Sequence, residues 1–194
     1  MQPDEPQLVE DSQQGNLSAF NTIVERYQSQ VYNVAARILG DRFLAEDVAQ
    51  ETFISAHRAI KGFRGGSLKA WLLRIASNQS YDTIRSKKRR PADSLEESME
   101  NPNFSVPSSE PGPEQMALQS ELQEKIQQAI SSLPTDQRAV LVFIDVQGLS
   151  YDETAEAVGT SIGTVKSRLS RARARVRDAL MEHRELLPDQ FRQV

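Results

Sequence analysis

Between Gly159 and Arg177 the chain carries six cations, Lys166, Arg168, Arg171, Arg173, Arg175 and Arg177, and no acidic residue, although its net charge is -4. Guanidinium, ammonium and hydroxyl groups at this density suit phosphate oxygens and the edges of DNA bases. A second basic stretch, residues 61–90, holds nine Lys and Arg against Asp82 alone. Residues 91–124, between the two, hold eight acidic residues and no Lys or Arg. Two basic surfaces separated by an acidic segment suggest two contacts with a polyanion. A third group, Asp47, Gln50 and Glu51, lies one helical turn apart in "AEDVAQETF". On spacing alone these residues read as solvated surface or as a protein contact. A metal or acid–base site is disfavoured, because His57 is the nearest histidine and carboxylates on an open helix lack a pocket.

The composition narrows the chemistry further. Without cysteine there are no disulfides, thiolate metal sites or cysteine nucleophiles. No apolar run approaches the about 18 residues that span a membrane, and the start, MQPDEPQLVEDSQQ, is acidic and polar, unlike a signal peptide. A soluble, cytoplasmic protein without cofactor or direct membrane insertion is expected. At 194 residues there is room for one medium domain or two small ones.

The elements that must position these groups read as helices throughout. Phe20, Ile23, Val24, Tyr27, Val31, Val34, Ala35 and Ile38 recur at steps of three and four, with Ser18 as a candidate N-cap and Gly40 as a stop. A second helix runs from about Phe43 to Ile60, with Leu44, Val48, Phe53 and Ala56 inward. After Gly62, Gly65 and Gly66, a third carries Leu68, Trp71, Leu72 and Ile75 on one face, which assigns Trp71 to a core rather than to a stacking platform. Residues 91–113 hold five of the nine prolines among Ser, Glu and Asn. They bury too little to order themselves and read as a flexible acidic Pro/Ser-rich linker. Leu118, Leu122, Ile126 and Ile130 then mark a helix, and Pro134 opens another containing Ala139, Val140, Val142, Phe143 and Val146. The expected fold is all-α, in two small helical domains. Its divisions are a flexible N-terminus at 1–15, a domain at 16–90, the linker at 91–113, a domain at 114–187 and a tail at 188–194.

"LSYDETAEAVGTSIGTVKSRLSRARARV" has the grammar of a helix-turn-helix. Ser150 and Glu153 form a capping-box pair, and Gly159 supplies the left-handed turn residue. A second helix starts at Ser161 or Ile162, with Ile162, Val165, Leu169, Ala172 and Val176 as its inward stripe. Lys166, Ser167, Ser170, Arg171 and Arg175 must then fan across the open side of a helix that fits the major groove.

The two-part plan, with "AEDVAQETF" in the first part and "LSYDETAEAVGTSIGTVKSRLSRAR" in the second, resembles the extracytoplasmic-function sigma factors of bacterial RNA polymerase from about Asn16 to about Leu180. The resemblance implies that the first domain holds core polymerase and opens DNA at the -10 element, while the second reads the -35 element. It implies docking of Asp47, Gln50 and Glu51 on the clamp helices of the β′ subunit, with Val48 and Phe53 packed beneath. It implies the β flap as a further polymerase contact. In "FRGGSLKAWLLRIASNQSYDTIRSKKRR" it places Asn78 where a flipped -10 base is read, with Phe63 nearby and Arg74, Arg85 and Lys88 along the backbone. Its -35-reading surface falls on Lys166, Ser167, Ser170 and Arg171, with Ser161, Thr164 and Arg168 as phosphate anchors near the helix start and Arg175 on the same open side. Ser170 stands where relatives often carry a larger aromatic or imidazole side chain. An anti-sigma factor is the expected inhibitor, and no catalytic activity is implied. His57 and His183 receive no role. The competing readings are a helix-turn-helix regulator that never binds polymerase and a nucleic-acid-processing enzyme. The first leaves the basic, Trp-bearing first part unexplained, and the second lacks a metal-ligand cluster and a glycine-rich phosphate loop.

Overall fold

The structure, a computed structural model, describes residues 4–89 and 113–188. These fold into eight α-helices, and among the described residues there is no strand. Of the expected 91–113 linker, residues 91–112 lie outside the described residues, as do residues 189–194 of the tail, and Pro113 opens a helix.

Helix α1 (Glu5–Gln13) forms where the sequence leads one to expect a flexible N-terminus. Leu8, 3% exposed, and Ser12 anchor it, and Glu5 accepts a hydrogen bond from the Tyr27 hydroxyl of α2. Helix α2 (Leu17–Leu39) is capped by Asn16, whose Oδ1 accepts from Ser18 N and Ala19 N at 3.0 and 3.2 Å. The cap is therefore two residues ahead of the expected Ser18. Gly40 ends α2 at φ 69°, a left-handed conformation open to glycine without a Cβ penalty. Helix α3 (Arg42–Ala59) starts on Asp41, which accepts from Leu44 N at 3.1 Å, and runs into a 3-10 turn at Ile60–Gly62. Helix α4 (Leu68–Arg89) follows the Gly65–Gly66 loop. Ile23, Val31, Val34 and Ile38 of α2 are buried with Leu68, Leu72 and Leu73 of α4. Burying each such side chain contributes about 1.5–3 kcal/mol, more than helix propensity supplies.

Helix α5 (Pro113–Ser132) leads through Leu133 and Pro134 into α6 (Thr135–Leu141), which widens into a π turn over Val142–Val146. Helix α7 (Tyr151–Val158) and helix α8 (Ile162–Met181) follow, then a 3-10 turn at Arg184–Leu186. Val140, Val142, Phe143, Val165, Leu169 and Ala172 are fully or almost fully buried. Three expected inward residues, Leu118, Val146 and Ile162, are exposed instead. Ile162 occupies the first position of α8, where the helix has not yet reached its neighbours.

The two groups of helices share one contiguous apolar core and are joined by polar bridges as well. Arg138 Nη1 donates to Ile38 O (2.7 Å), Lys69 Nζ to Gln147 O (2.5 Å) and the Tyr81 hydroxyl to Thr135 O (2.8 Å). Gln127 donates to Arg37 O (3.1 Å) and accepts from Arg37 Nη1 (3.2 Å). Burial pushes the Arg37 and Arg138 guanidinium groups below their ordinary value and the Tyr81 phenol up to about 12. Among the described residues no helix is long and apolar enough to cross a membrane.

Candidate nucleic-acid interface

The helix-turn-helix forms as its local chemistry requires. Ser150 Oγ accepts from Glu153 N (3.1 Å) and Glu153 Oε2 accepts from Ser150 N (2.9 Å), closing the capping box. Gly159 turns the chain at φ 65°. Ser161 caps α8 by accepting from Thr164 N at 3.2 Å. The Ser150 amide first, then the Ser67 and Ser150 hydroxyls, hold the Glu153 carboxyl below its ordinary value.

Burial of Val165, Leu169 and Ala172 fixes the rotation of α8 and turns Lys166, Ser167, Ser170, Arg171 and Arg175 outward, all of them exposed. Lys166 Nζ lies 5.6 Å from the centre of the Tyr151 ring, within cation–π reach. Arg171 folds back along its own helix, donating from Nε to Ser167 O and from Nη2 to Ser167 Oγ, each at 3.2 Å. Two other arginines are already engaged. Arg168 Nε pairs with Asp136 of α6 at 3.0 Å, and Arg173 grips Asp145 at 2.6 and 3.0 Å. Arg168, expected as a phosphate anchor, thus points to α6. Ser161 and Thr164 remain at the helix start, their hydroxyls 2.9 Å apart.

In the first group of helices, Phe63 leans on Trp71, the ring centres 5.3 Å apart at 52°. Phe63, Trp71 and Arg74 line a recess of about 200 Å3 whose far wall includes Glu156 of α7. A β-carbon at Gly66 would stand 3.5 Å from Glu156 Oε1, so α7 rests directly on this loop. Arg74 and Asn78, both exposed, line a larger cleft of about 450 Å3 together with Tyr81, Asp136, Phe143 and Arg168. Arg74 joins the two recesses and so brings Phe63 and Asn78 onto one face of the α4 region. Arg85 is held by Asp82 at 3.0 Å further along α4, and the side chain of Lys88 lies outside the described residues.

Asp47, Gln50 and Glu51 are exposed on α3, while Val48 is 6% exposed and packs with Ala35, Ala36 and Ala45 beneath them. Val48 therefore supports this face rather than forming part of it. Phe43, 74% exposed, and Ile54, 45% exposed, fall at four-, three- and four-residue steps with Asp47 and Gln50, and so share their side of the helix. Neither acquires a role from spacing alone. Their signal was present as two large apolar residues outside the inward stripe. Among the described residues no group of three or more His, Asp or Glu could hold a metal ion.

An all-helical chain ending in a capped helix-turn-helix with a basic outer face has the architecture of a DNA-binding protein. Residues 23–90 match the Sigma-70 region 2 family and residues 123–176 match Sigma-70, region 4. The RNA polymerase sigma-H factor of Pseudomonas aeruginosa is 37% identical over 185 residues, covering 92% of this chain and 95% of that protein. The ECF RNA polymerase sigma-E factor of Escherichia coli is 39% identical over 172 residues, 86% and 88% of the two chains. The ECF RNA polymerase sigma factor SigE of Mycolicibacterium smegmatis is 36% identical over 88% of this chain, which spans 65% of that relative's length. Among solved structures, CnrH in complex with the cytosolic domain of CnrY superposes with a TM-score of 0.66 at 28% identity, over 91% of this chain and 96% of that one. The sigma factor RpoE, in complex with the anti-sigma factor NepR from Bartonella quintana, gives 0.63 at 29% identity over 83% and 96%. The chain belongs to the extracytoplasmic-function sigma factors of RNA polymerase.

Proposed function

We propose that this chain is a dissociable specificity subunit that docks on core RNA polymerase, reads a -35 element with α8 and opens DNA at the -10 element with the loop and helix from Phe63 to Lys88. Residues 16–90 act as one domain and 114–187 as the other, joined by the acidic segment 91–113. The observation that carries the reading is the outer face of α8. Lys166, Ser167, Ser170, Arg171 and Arg175 stand clear of the core on a helix whose rotation is fixed by buried Val165, Leu169 and Ala172. A helix so loaded enters a major groove with donors aimed at base edges and flanking phosphates. Asp47, Gln50 and Glu51 on α3 meet the β′ clamp helices, and the β flap engages the second domain.

On this reading the closed packing is a resting form. Arg74 and Asn78 face the cleft between the two helix groups, and Glu156 stands against the Phe63–Gly66 loop. A DNA strand reaches them only when the groups separate. Apolar side chains of both groups share one buried core, so separation costs that burial as well as the polar bridges, and docking on core polymerase and DNA must offset it. An anti-sigma factor, the class of partner seen with the relative RpoE, would act by holding the binding surfaces out of use. The subunit works in the cytoplasm and catalyses nothing itself.

The test is a gel shift on a randomised promoter library with free protein, protein plus core polymerase, and core alone. Selective retention is expected only for the mixture, with two enriched elements. Equal selectivity by the free protein would instead identify a regulator that acts without polymerase.

A further inference from the structure

We infer that α1 is a brace for the strand-opening loop, and that Gln13 is the positioning residue through which it acts. The inference rests on the reading of the Phe63 loop and Asn78 as the -10 surface.

The loop between Ile60 and Leu68 needs outside support. Ile60 and Leu68 are 2% and 1% exposed, so its ends are fixed. Between them, Gly65 and Gly66 take φ values of 98° and 88°, and Lys61, Gly62 and Arg64 are exposed. Two adjacent glycines without side-chain packing leave the intervening chain many conformations. One hold comes from within the loop's own neighbourhood, the Phe63–Trp71 ring contact. Another comes from α7, whose Glu156 carboxylate stands 3.5 Å from the Cβ position of Gly66, and it is lost when the helix groups separate.

The remaining hold is Gln13. Its Nε2 donates to Ile60 O at 3.0 Å and to Phe63 O at 2.9 Å. The primary amide spends both protons on the two ends of one turn, the turn that Phe63 N closes onto Ile60 O at 3.0 Å. A side-chain amide nitrogen, with its two protons, can do this from one position. Gln13 is the last residue of α1, and α1 is itself tied down by buried Leu8 and Ser12 and by the Tyr27–Glu5 hydrogen bond. The chain of contacts therefore runs from the α2 surface, through α1, to the backbone that presents Phe63. Because none of these contacts involves α5–α8, the brace persists in the open form, where Phe63 must hold its place without α7.

The experiment uses full-length Gln13→Ala and Gln13→Glu. The first removes the donor, and the second sets a carboxylate against two carbonyl oxygens. Trp71 is the sole tryptophan and touches Phe63, so its emission reports loop placement directly. Acrylamide quenching should rise in Gln13→Ala and more in Gln13→Glu, at unchanged far-UV circular dichroism. Assembled with core polymerase on a duplex promoter recovered from a random library by the unmodified holoenzyme, both variants should bind normally. Permanganate reactivity of -10 thymines should fall about 5- to 150-fold, the scale of two neutral hydrogen bonds, and a pre-opened bubble should restore it. Unchanged Trp71 quenching overturns the inference, as do wild-type thymine reactivity or a loss of helix content in both variants. Asn78→Ala separates this from the underlying reading. If it fails to melt while the Gln13 variants melt normally, the brace alone is refuted. If it melts normally as well, the assignment of this surface to strand opening falls with it.

Discussion

Arg171→Ala should change which -35 sequences are bound, whereas Arg175→Ala should not. In the free protein Arg171 makes two hydrogen bonds of 3.2 Å to Ser167, both at an exposed site. Exchanging them for water releases the side chain at well under about 1.5 kcal/mol each, so they do not prevent it from turning to DNA. A bidentate contact to a guanine edge is worth about 1–3 kcal/mol of discrimination. Truncation should therefore flatten preference at one or two adjacent positions by about 5- to 150-fold, with the remaining positions unchanged. Arg175, one turn further along the same exposed face, should contribute a phosphate contact. Its loss should weaken every promoter alike and reduce the salt slope by about one. The assay is competitive binding of reconstituted holoenzyme to a -35 library at two or more salt concentrations, read by sequencing. Equal losses across all -35 sequences for both variants would refute a base-reading role for Arg171.

Two further outcomes test other parts of the molecule. Reversing Asp47 and Glu51 together to Lys should abolish assembly with core polymerase at unchanged helix content, since attraction becomes repulsion worth several kcal/mol in a partly desolvated contact; co-purification that survives would remove α3 from the interface. The Glu153 carboxyl is held below its ordinary value of 4.5 by the Ser150 amide and the Ser67 hydroxyl, so its contribution to stability is present above that value and lost as pH falls through the lowered folded one. Thermal melts from pH 7 to pH 3 should show this acid limb in the native chain and a flatter one in Glu153→Gln, and identical limbs would discount the capping box as its source.

The parts of the fold that depend on neighbours in sequence were legible before any coordinates. Ser150, Glu153, Gly159 and Ser161 are all within reach of the backbone groups they satisfy, so the helix-turn-helix and its exposed basic face follow from spacing alone. Gly40 is legible for the same reason. Spacing alone puts the N-cap of α2 two residues late, because Ser18 and Asn16 are both good caps, and only geometry shows Asn16 reaching two amides. Helix α1 escaped because its apolar content is Leu8 and Val9, too little to show a period; it is held by groups far along the chain, Tyr27 at one end and Ile60 and Phe63 at the other. Arg168 illustrates the same limit at the site. Its place on α8 is readable, but its partner Asp136 belongs to another helix. Phe43 and Ile54 were visible as residues outside the inward stripe, yet what they share with Asp47 and Gln50 becomes apparent only once Val48 is seen to be buried.

The boundary between the helix groups has an evolutionary consequence. Lys69, Tyr81, Arg138 and Gln127 each donate across it to a main-chain oxygen, of Gln147, Thr135, Ile38 and Arg37 respectively. Every residue type carries that oxygen, so replacing an acceptor residue leaves the acceptor in place, whereas replacing a donor deletes the bond. The polar part of closure can thus drift through Lys69, Tyr81 and Arg138, one at a time, with no compensating change on the opposite face, whereas Gln127 also accepts from the Arg37 side chain and is tied to it. In a set of relatives those three donors should vary independently of the residues they touch. Correlated-substitution analysis would then under-report the closed arrangement at these polar contacts.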